Sequence, residues 1–225
     1  MTELFTQTVE AKAYALLKDL MQDSELAGFH LVGGTSLALQ IGHRKSVDLD
    51  LFNYGDDFDA DFLSSHLIRR YAFAQKIVQA RTILGEIDGI KVDFIQAYNQ
   101  LTEPEIETPE GIRLVSFRDI AAMKLLAIGK SGTRRKDFID VAFLSREMSL
   151  NEMLERYREA YHVTSNIQPV RGLLYFEDIA NEESVDLLDN KLDWKLIEQR
   201  LYKMVERPGV VFDTWPVKTR KPVSR

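Results

Sequence analysis

The chain contains no cysteine among its 225 residues. This absence excludes disulfide bonds, thiolate catalysis and cysteine-ligated zinc, and it is typical of an intracellular protein. No apolar run approaches the ~20 residues that a membrane-spanning helix needs. Residues 1–19 carry acids within an amphipathic pattern, which is not the basic-then-apolar order of a signal peptide. We therefore expect a cytoplasmic protein that makes no membrane contact.

The formal net charge is −6, with 45% hydrophobic and 28% charged residues. An acidic balance argues against a surface that coats nucleic acid, although it allows one local basic patch. A Walker phosphate loop is also missing, because no Lys-Ser or Lys-Thr pair follows Gly33-Gly34 at the required spacing. The length suffices for one large domain or two small ones with a sizeable core.

Strand patterns precede helix patterns along the chain. Strands are predicted over 29–32 and 47–52. Two or three more are predicted over 74–97, with breaks at Gly85 and Gly89 and with the last strand at 90–95. An acidic loop over 102–110 follows, and then an edge strand over 111–115. Helices are predicted over 5–21, 35–41, 59–71, 117–128, 136–145, 150–161, 168–176 and 194–206. This order predicts the α+β class, with a mixed sheet flanked by helices (1–116), a C-terminal helical subdomain (117–208) and a basic, loosely ordered tail (209–225).

A glycine pair, Gly33-Gly34, ends the first predicted strand, and Thr35 and Ser36 follow it at a helix start. Glycine permits positive φ and a close approach of the backbone to a ligand. The N–H groups of a helix start, together with two hydroxyls, favour binding of an anion. The sequence therefore predicts a phosphate-binding turn, and a plain turn with a Ser/Thr cap is the alternative.

Two aspartates, Asp48 and Asp50, lie in the second predicted strand. Alternation places them on one face, roughly 7 Å apart between Cα atoms, with Val47, Leu49 and Leu51 on the other. Carboxylates at this spacing can converge on two metal ions about 3.5–4 Å apart. An exposed strand face with two solvated acids is the alternative.

A third carboxylate, Asp93, lies in the middle of a predicted strand between apolar Val92 and Phe94. A charged group at such a position is costly unless it is paired or bound to a metal. We predict that Asp93 joins the metal site, with a salt bridge to Lys91 or Arg81 as the alternative.

These blocks together resemble a known family. The chain runs Val32-Gly33-Gly34-Thr35-Ser36-Leu37-Ala38-Leu39-Gln40 and then Gly42-His43-Arg44-x-Ser46-x-Asp48-x-Asp50-Leu51-Phe52, with later blocks Asp119-Ile120-Ala121-Ala122-Met123-Lys124-Leu125 and Arg135-Lys136-Asp137-Phe138-x-Asp140. This pattern is similar to that of the AbiEii/AbiGii toxin family, which has the polymerase-beta-type nucleotidyltransferase fold. The resemblance covers about the first two thirds of the chain.

The resemblance implies a metal-dependent nucleotidyltransferase that uses an NTP and two Mg²⁺ ions. It implies Asp48 and Asp50 as metal ligands and places Lys124 and Asp140 near the nucleotide. It also implies a toxin with an antitoxin partner and an acceptor such as a tRNA 3′ end or a protein hydroxyl. Two other functions stay open: a nucleotide-binding module that acts through its antitoxin, and transfer to a small molecule of the aminoglycoside type.

Several residues keep a structural alternative. For Lys124 the alternative is an ordinary solvated lysine on a helix, and for Asp140 it is an ion pair with Lys136, one turn away. Asp137 could complement the helix dipole. Arg44 has donors suited to a nucleotide phosphate, and His43 is either a cap or an acceptor contact.

The remaining candidates are a basic loop and a set of aromatics. Lys130, Arg134, Arg135 and Lys136 are expected in an exposed loop that could also receive an RNA backbone. Lys45 is expected to be solvated. We expect helix-core positions for Tyr157, Tyr161, Tyr175 and Phe176.

Overall fold

The computed structural model describes residues 4–179, 185–189 and 192–215. The strands in these ranges are β1 Phe29–Leu31, β2 Leu49–Asn53, β3 Ala74–Gln79, β4 Thr82–Ile87, β5 Ile90–Gln96, β6 Ile106–Glu107 and β7 Arg113–Leu114. The helices are α1 Ala11–Met21, α2 Gly33–Ile41, α3 Ala60–Tyr71, α4 Phe117–Lys130, α5 Arg135–Leu144, α6 Leu150–Tyr161, α7 Ile167–Gly172 and α8 Trp194–Glu206. No helix in the described ranges is both long and apolar enough to cross a membrane.

All the described strands form one mixed sheet in the order β3-β4-β5-β2-β1-β7-β6. Strand β2 lies at its centre, antiparallel to β1 and parallel to β5. Both edges of this central strand are paired with neighbouring strands, and Leu49 and Leu51, which share one face of β2, are fully buried. The predicted α+β class with a mixed sheet is confirmed.

Two apolar cores stabilise the fold. One lies where β1, β2, β4 and β5 pack against α1 and α3, and it includes Leu17, Leu67 and Phe94. The other is built from α4, α5, α6 and α8, and it also takes in Leu37 of α2 and Val115 after β7. Helix α2 therefore connects the strand-rich half to the helical half.

The edge of the sheet is not where the sequence placed it. The strand predicted over 111–115 is reduced to Arg113–Leu114, and it is an interior strand between β1 and β6. The edge strand on this side of the sheet is β6, Ile106–Glu107, which lies inside the predicted loop 102–110. A two-residue strand such as β6 carries too little alternation to be recognised from sequence.

The predicted break at Gly85 is wrong, because Gly85 lies within β4. A Cβ there would come 2.5 Å from the Ala74 carbonyl oxygen and would also meet the Phe73 ring, so the glycine provides room for packing. The break comes at 80–81, between β3 and β4. The predicted turn at Gly89, where φ is +79°, is confirmed.

Two helix bounds differ from prediction by more than two residues. Helix α1 starts at Ala11 rather than at 5, because 6–8 form a short 3₁₀ turn and Val9 bridges to Ser46. Helix α7 covers Ile167–Gly172 rather than 168–176. The helices predicted over 150–161 and 194–206 are confirmed.

The tail predicted to be loose from 209 is packed over its described part, 209–215. Arg200 of α8 is buried and donates hydrogen bonds to the carbonyls of Phe212 and Thr214. The Trp215 ring lies 4.8 Å from that of Phe143. Residues 216–225 of the predicted tail lie outside the described residues.

Arg113 is the residue that joins β7 to the start of the sheet. Its guanidinium donates to three carbonyls, those of Phe29, Met21 and Leu26, at 2.9–3.0 Å. We expect Arg113→Ala to lower the free energy of unfolding by about 2–4 kcal/mol, because it leaves these carbonyls without donors. Urea unfolding followed by circular dichroism measures the change. The exposed Arg69→Ala on α3 is the matched control, and an equal effect of the two variants would contradict this role.

Candidate active site

Two of the three aspartates lie opposite each other in the centre of the sheet. Asp50 of β2 and Asp93 of β5 are register partners in the parallel pair. Asp48 immediately precedes β2, which starts at Leu49 rather than at the predicted 47. Val47 is 53% exposed, so its predicted place with Leu49 and Leu51 on the buried face is wrong. The fold thus brings together the three carboxylates that the sequence singled out.

Gly33 begins α2 directly against Asp50. Its φ is +69°, and a Cβ on it would lie 2.5 Å from Asp50 Oδ2. A side chain here is disfavoured both by the left-handed backbone and by contact with the carboxylate. The first N–H groups of α2, which have no acceptor within the helix, therefore start next to the paired aspartates.

The hydroxyls of Thr35 and Ser36 do not face this site. Thr35 Oγ1 donates to the Asp48 carbonyl and lies 2.8 Å from Ser46 Oγ. Ser36 Oγ is fully buried and lies 3.4 Å from the Val115 carbonyl. Their predicted contact with phosphate is corrected accordingly: Thr35 fixes the segment before β2, and the groups left for an anion are backbone N–H groups.

A buried ion cluster supports the site from behind, and its centre is Asp140 of α5. Asp140 Oδ1 accepts hydrogen bonds from His43 Nε2 and Arg44 Nε, both at 2.7 Å, and Oδ2 accepts from Arg44 Nη2 at 3.0 Å. Lys124 Nζ of α4 lies 2.8 Å from Oδ2. Burial raises the pKa of the Asp140 carboxyl, but the charges of Arg44 and Lys124 and the hydrogen bonds outweigh it and hold the pKa well below its usual range.

This cluster changes the roles predicted for its members. The Arg44 donors bind Asp140 and, through Nη1, the Lys45 carbonyl. Arg44 also lines the first cavity, and its contact with a nucleotide phosphate stays a prediction. Lys124 is buried rather than solvated. His43 is neither a cap nor an acceptor contact, because it too lies buried against Asp140. Burial lowers the pKa of the His43 imidazole, although Asp140 opposes the shift.

Asp137 is the member of the cluster that the sequence assigned to the helix dipole. Its Oδ1 lies 2.6 Å from Lys124 Nζ, so it shares this lysine with Asp140. The spacing Asp137-x-x-Asp140 places both carboxylates on one face of α5. That spacing was the sequence signal for a shared partner.

Two cavities meet at Asp48 and Asp50. The first has a volume of about 310 Å³ and includes Gly34, Ser46 and Lys136 in its lining. The second has a volume of about 400 Å³, and its polar lining includes Lys91, Asp93, Lys124, Lys130 and Asp137. Arg134 lines both. The aspartates therefore separate two chambers that each contain basic side chains.

The aromatics predicted for the helix core differ among themselves. Tyr157 is buried and Phe176 packs on Trp194, as expected. Tyr175 is 47% exposed, so its predicted core position is wrong. Tyr161 is half-buried and lines the second cavity.

The three aspartates form an electrostatically strained group. Burial raises the pKa of the Asp50 carboxyl. The charges of Asp93 and Asp48 raise this pKa further, whereas those of Lys91 and Lys124 oppose the rise. Asp93 Oδ2 lies 2.6 Å from Lys91 Nζ, which is the salt bridge left open by the sequence. Asp93 Oδ1 is buried and has no hydrogen-bond partner in the structure.

The donor set suits a hard divalent cation, because carboxylate oxygens are the ligands that Mg²⁺ prefers. An unpartnered buried carboxylate oxygen also fits a cation-binding role. As placed, however, no three His, Cys, Asp or Glu side chains of the described residues form a group that could hold a metal ion. The ammonium of Lys91 lies against one of the three candidate ligands.

A mixed sheet that carries three aspartates beside a glycine-initiated helix defines a protein of the nucleotidyltransferase class. The chain belongs to the AbiEii family: the family model described as "Nucleotidyl transferase AbiEii toxin, Type IV TA system" matches residues 15–88 and 83–212. The chain is also 32% identical over 182 residues to an uncharacterized protein of Aquifex aeolicus (strain VF5), covering 79% of this chain and 86% of that protein.

Two solved structures are similar at low identity. The antibiotic-resistance factor ANT(2'')-Ia is 14% identical with a TM-score of 0.49, covering 66% of this chain and 91% of its own. An antigenic nucleotidyltransferase-like protein from Paracoccidioides brasiliensis is 15% identical with a TM-score of 0.46, covering 66% and 87%. At these identities and scores neither structure bears on what this chain binds.

We expect Asp140→Asn to lower the free energy of unfolding at pH 7 by about 3–5 kcal/mol, because it leaves buried cations without their counter-charge. A depressed folded-state pKa stabilises the protein above the unfolded pKa of about 4, and this stabilisation is lost as pH falls through the folded value. The difference between wild type and variant should therefore be constant from pH 7 to 5 and shrink below about 4.

Urea unfolding at a series of pH values measures this difference. Asp88→Asn is the matched control, because the Asp88 side chain is 73% exposed and its carboxylate is 3.8 Å from Lys12. A difference that widens as pH falls below 4 would contradict a counter-ion role for Asp140.

Proposed function

We propose that this protein transfers a nucleoside monophosphate from an NTP to an acceptor hydroxyl. The observation that carries the proposal is the placement of Asp50 opposite Asp93, with Gly33 against Asp50 and a cavity on each side. Nucleotidyl transfer needs an anion site next to carboxylates that can hold a divalent cation. Membership of the AbiEii family supports the same reaction class.

The first cavity suits the triphosphate. It lies at the start of α2, where backbone N–H groups and the helix dipole favour anions. Its lining includes Arg134, and Lys136 adds a second positive charge. In our proposal Gly34, which lines this cavity, gives the phosphates access to the backbone donors, and Gly33, which lines the second cavity, keeps the helix start open beside Asp50.

The second cavity suits the acceptor. It includes Asp93, with basic Lys91 and Lys130 and the ring of Tyr161. Basic and aromatic groups together favour a nucleic-acid end, since they can contact both phosphate and base. A tRNA 3′ end is the acceptor we propose first, with a protein hydroxyl as the alternative within the same chemistry.

Asp48, Asp50 and Asp93 are the residues that would hold Mg²⁺. The ion supplies positive charge that stabilises the oxygens exchanged at phosphorus. Asp140 acts through position in this proposal, because it is fully buried in the cluster. Lys124 lines the second cavity, but its ammonium is already paired with Asp137 and Asp140, so we propose that it too acts through position.

The transfer forms one bond and breaks one. The acceptor oxygen bonds to the α-phosphorus, the bond from the α-phosphorus to the bridging oxygen breaks, and pyrophosphate leaves. The proton of the acceptor hydroxyl goes to Asp93, whose Oδ1 has no other hydrogen-bond partner in the structure. A carboxylate within reach of the hydroxyl is a suitable general base.

The biological role we propose is that of the toxin in a bacterial toxin–antitoxin pair. The description of the family as a toxin of a type IV system supports this role. The protein then has an antitoxin partner, which counteracts it.

The test is incubation of the purified protein with Mg²⁺, total tRNA and each α-³²P-labelled NTP. We expect labelled RNA with wild type and at least a 10²-fold loss with Asp50→Asn, because the variant lacks a charge needed at the metal and phosphate site. Asp88→Asn should retain wild-type labelling. Equal labelling by wild type and Asp50→Asn, or no labelling of RNA, protein or an aminoglycoside, would overturn the proposal.

The same protein samples separate catalysis from simple binding. If the protein only binds nucleotide and acts through an antitoxin, Mg²⁺ with NTP should raise the melting temperature of wild type and Asp50→Asn equally, without labelling. A larger rise for wild type is expected for the enzyme.

A further inference from the structure

Lys91 lies in the wall of the second cavity, two residues before Asp93 on β5. Residues at this spacing point to the same face of a strand. The Nζ atom is 2.6 Å from Asp93 Oδ2. The lysine therefore belongs to the same surface as the proposed reaction centre.

The contact is unlike a surface salt bridge. The Asp93 side chain is only 9% exposed, whereas that of Lys91 is 50% exposed. A buried carboxylate needs a compensating charge. Burial lowers the pKa of the Lys91 ammonium, but Asp93, Asp50 and Asp48 outweigh it and raise the pKa.

Lys124 is a less suitable cation for these aspartates. Its ammonium already lies 2.6 Å from Asp137 and 2.8 Å from Asp140, and it is buried. Lys91 instead contacts a member of the trio directly and reaches it from the cavity side. Asp93 Oδ1 stays open.

We propose that Lys91 serves as the second cation of the reaction centre, so that the protein uses one divalent ion, held by Asp48 and Asp50, and the Lys91 ammonium on the Asp93 side. This inference rests on the proposed function. It revises the two Mg²⁺ ions expected from the sequence resemblance to one, and it replaces the role of Asp93 as a metal ligand with pairing to Lys91.

The chemistry remains balanced with one ion. The Lys91 ammonium keeps its proton and contributes positive charge beside the acceptor oxygen as that oxygen bonds to the α-phosphorus. Asp93 Oδ1 takes the hydroxyl proton while Oδ2 stays on Lys91. Fixed positive charge placed where negative charge develops is an effective means of stabilising such a transition state.

The test counts metal ions by native mass spectrometry. Wild type and Lys91→Gln are each mixed with Mn²⁺ and with the α,β-methylene analogue of each NTP in turn. We expect one Mn²⁺ per nucleotide-bound chain for wild type and two for Lys91→Gln, since removal of the ammonium leaves three carboxylates for cations. Two ions on wild type, or one on both proteins, would overturn the inference.

Transfer activity gives a second measurement. Lys91→Gln should transfer about 10²-fold more slowly at low Mn²⁺, and its rate should rise with the square of Mn²⁺ concentration, whereas the wild-type rate rises in proportion. A wild-type rate in the variant would contradict a catalytic role for Lys91.

Lys76→Gln is the matched control, because Lys76 is also a strand lysine paired with an acid, Glu86, and is outside both cavities. It should match wild type in ion count and rate. The experiment distinguishes failure of the proposed function from failure of the role of Lys91. If neither wild type nor any variant binds an analogue, the proposed function fails, and this inference fails with it. Analogue binding with two ions on wild type removes the role of Lys91 alone.

Discussion

The site depends on the charge of one buried carboxylate. Asp140 is fully buried on α5 and binds His43 and Arg44, which precede β2, and Lys124 of α4. Three segments distant in sequence are thereby fixed to a single point. Arg44 in turn packs against Gly34, where a Cβ would collide with its guanidinium. The position of the glycine turn relative to the paired aspartates therefore depends on the charge of the fully buried Asp140 carboxylate.

This dependence explains why the polar residues of a functional motif need not touch a substrate. Removing one partner of a buried ion cluster leaves the others without compensation, at a cost of about 3–5 kcal/mol. Loss of activity on changing Lys124 or Asp140 would therefore not by itself identify a catalytic group. A change at Lys91, which is half-exposed, leaves the contacts of Asp140 with His43, Arg44 and Lys124 in place, so it tests the site without breaking this cluster.

The sequence predicted those parts of the fold that have strong local signals. Helix α6 begins at Leu150, directly after Ser149, which forms a capping box with Glu152, and its bounds were predicted to the residue. The trio Asp48, Asp50 and Asp93 was predicted from strand alternation and family resemblance, and the fold brings it together. The two-residue strand β6 was missed and β7 was predicted too long, because their pairing is decided by tertiary neighbours rather than by alternation.

The partners of individual side chains were the part that local reasoning could not supply. Thr35 and Arg44 have the right chemistry for phosphate, yet each has an internal acceptor that comes from a distant segment. A polar residue next to a functional motif can therefore be a support rather than a contact. By the same argument Lys91, which the sequence suggested only as a salt-bridge partner of Asp93, becomes a candidate for a functional role. The sequence left Lys91 and Arg81 as two possible partners of Asp93, and the folded sheet shows that the Lys91 ammonium lies against Asp93 at the cavity that Asp50 shares.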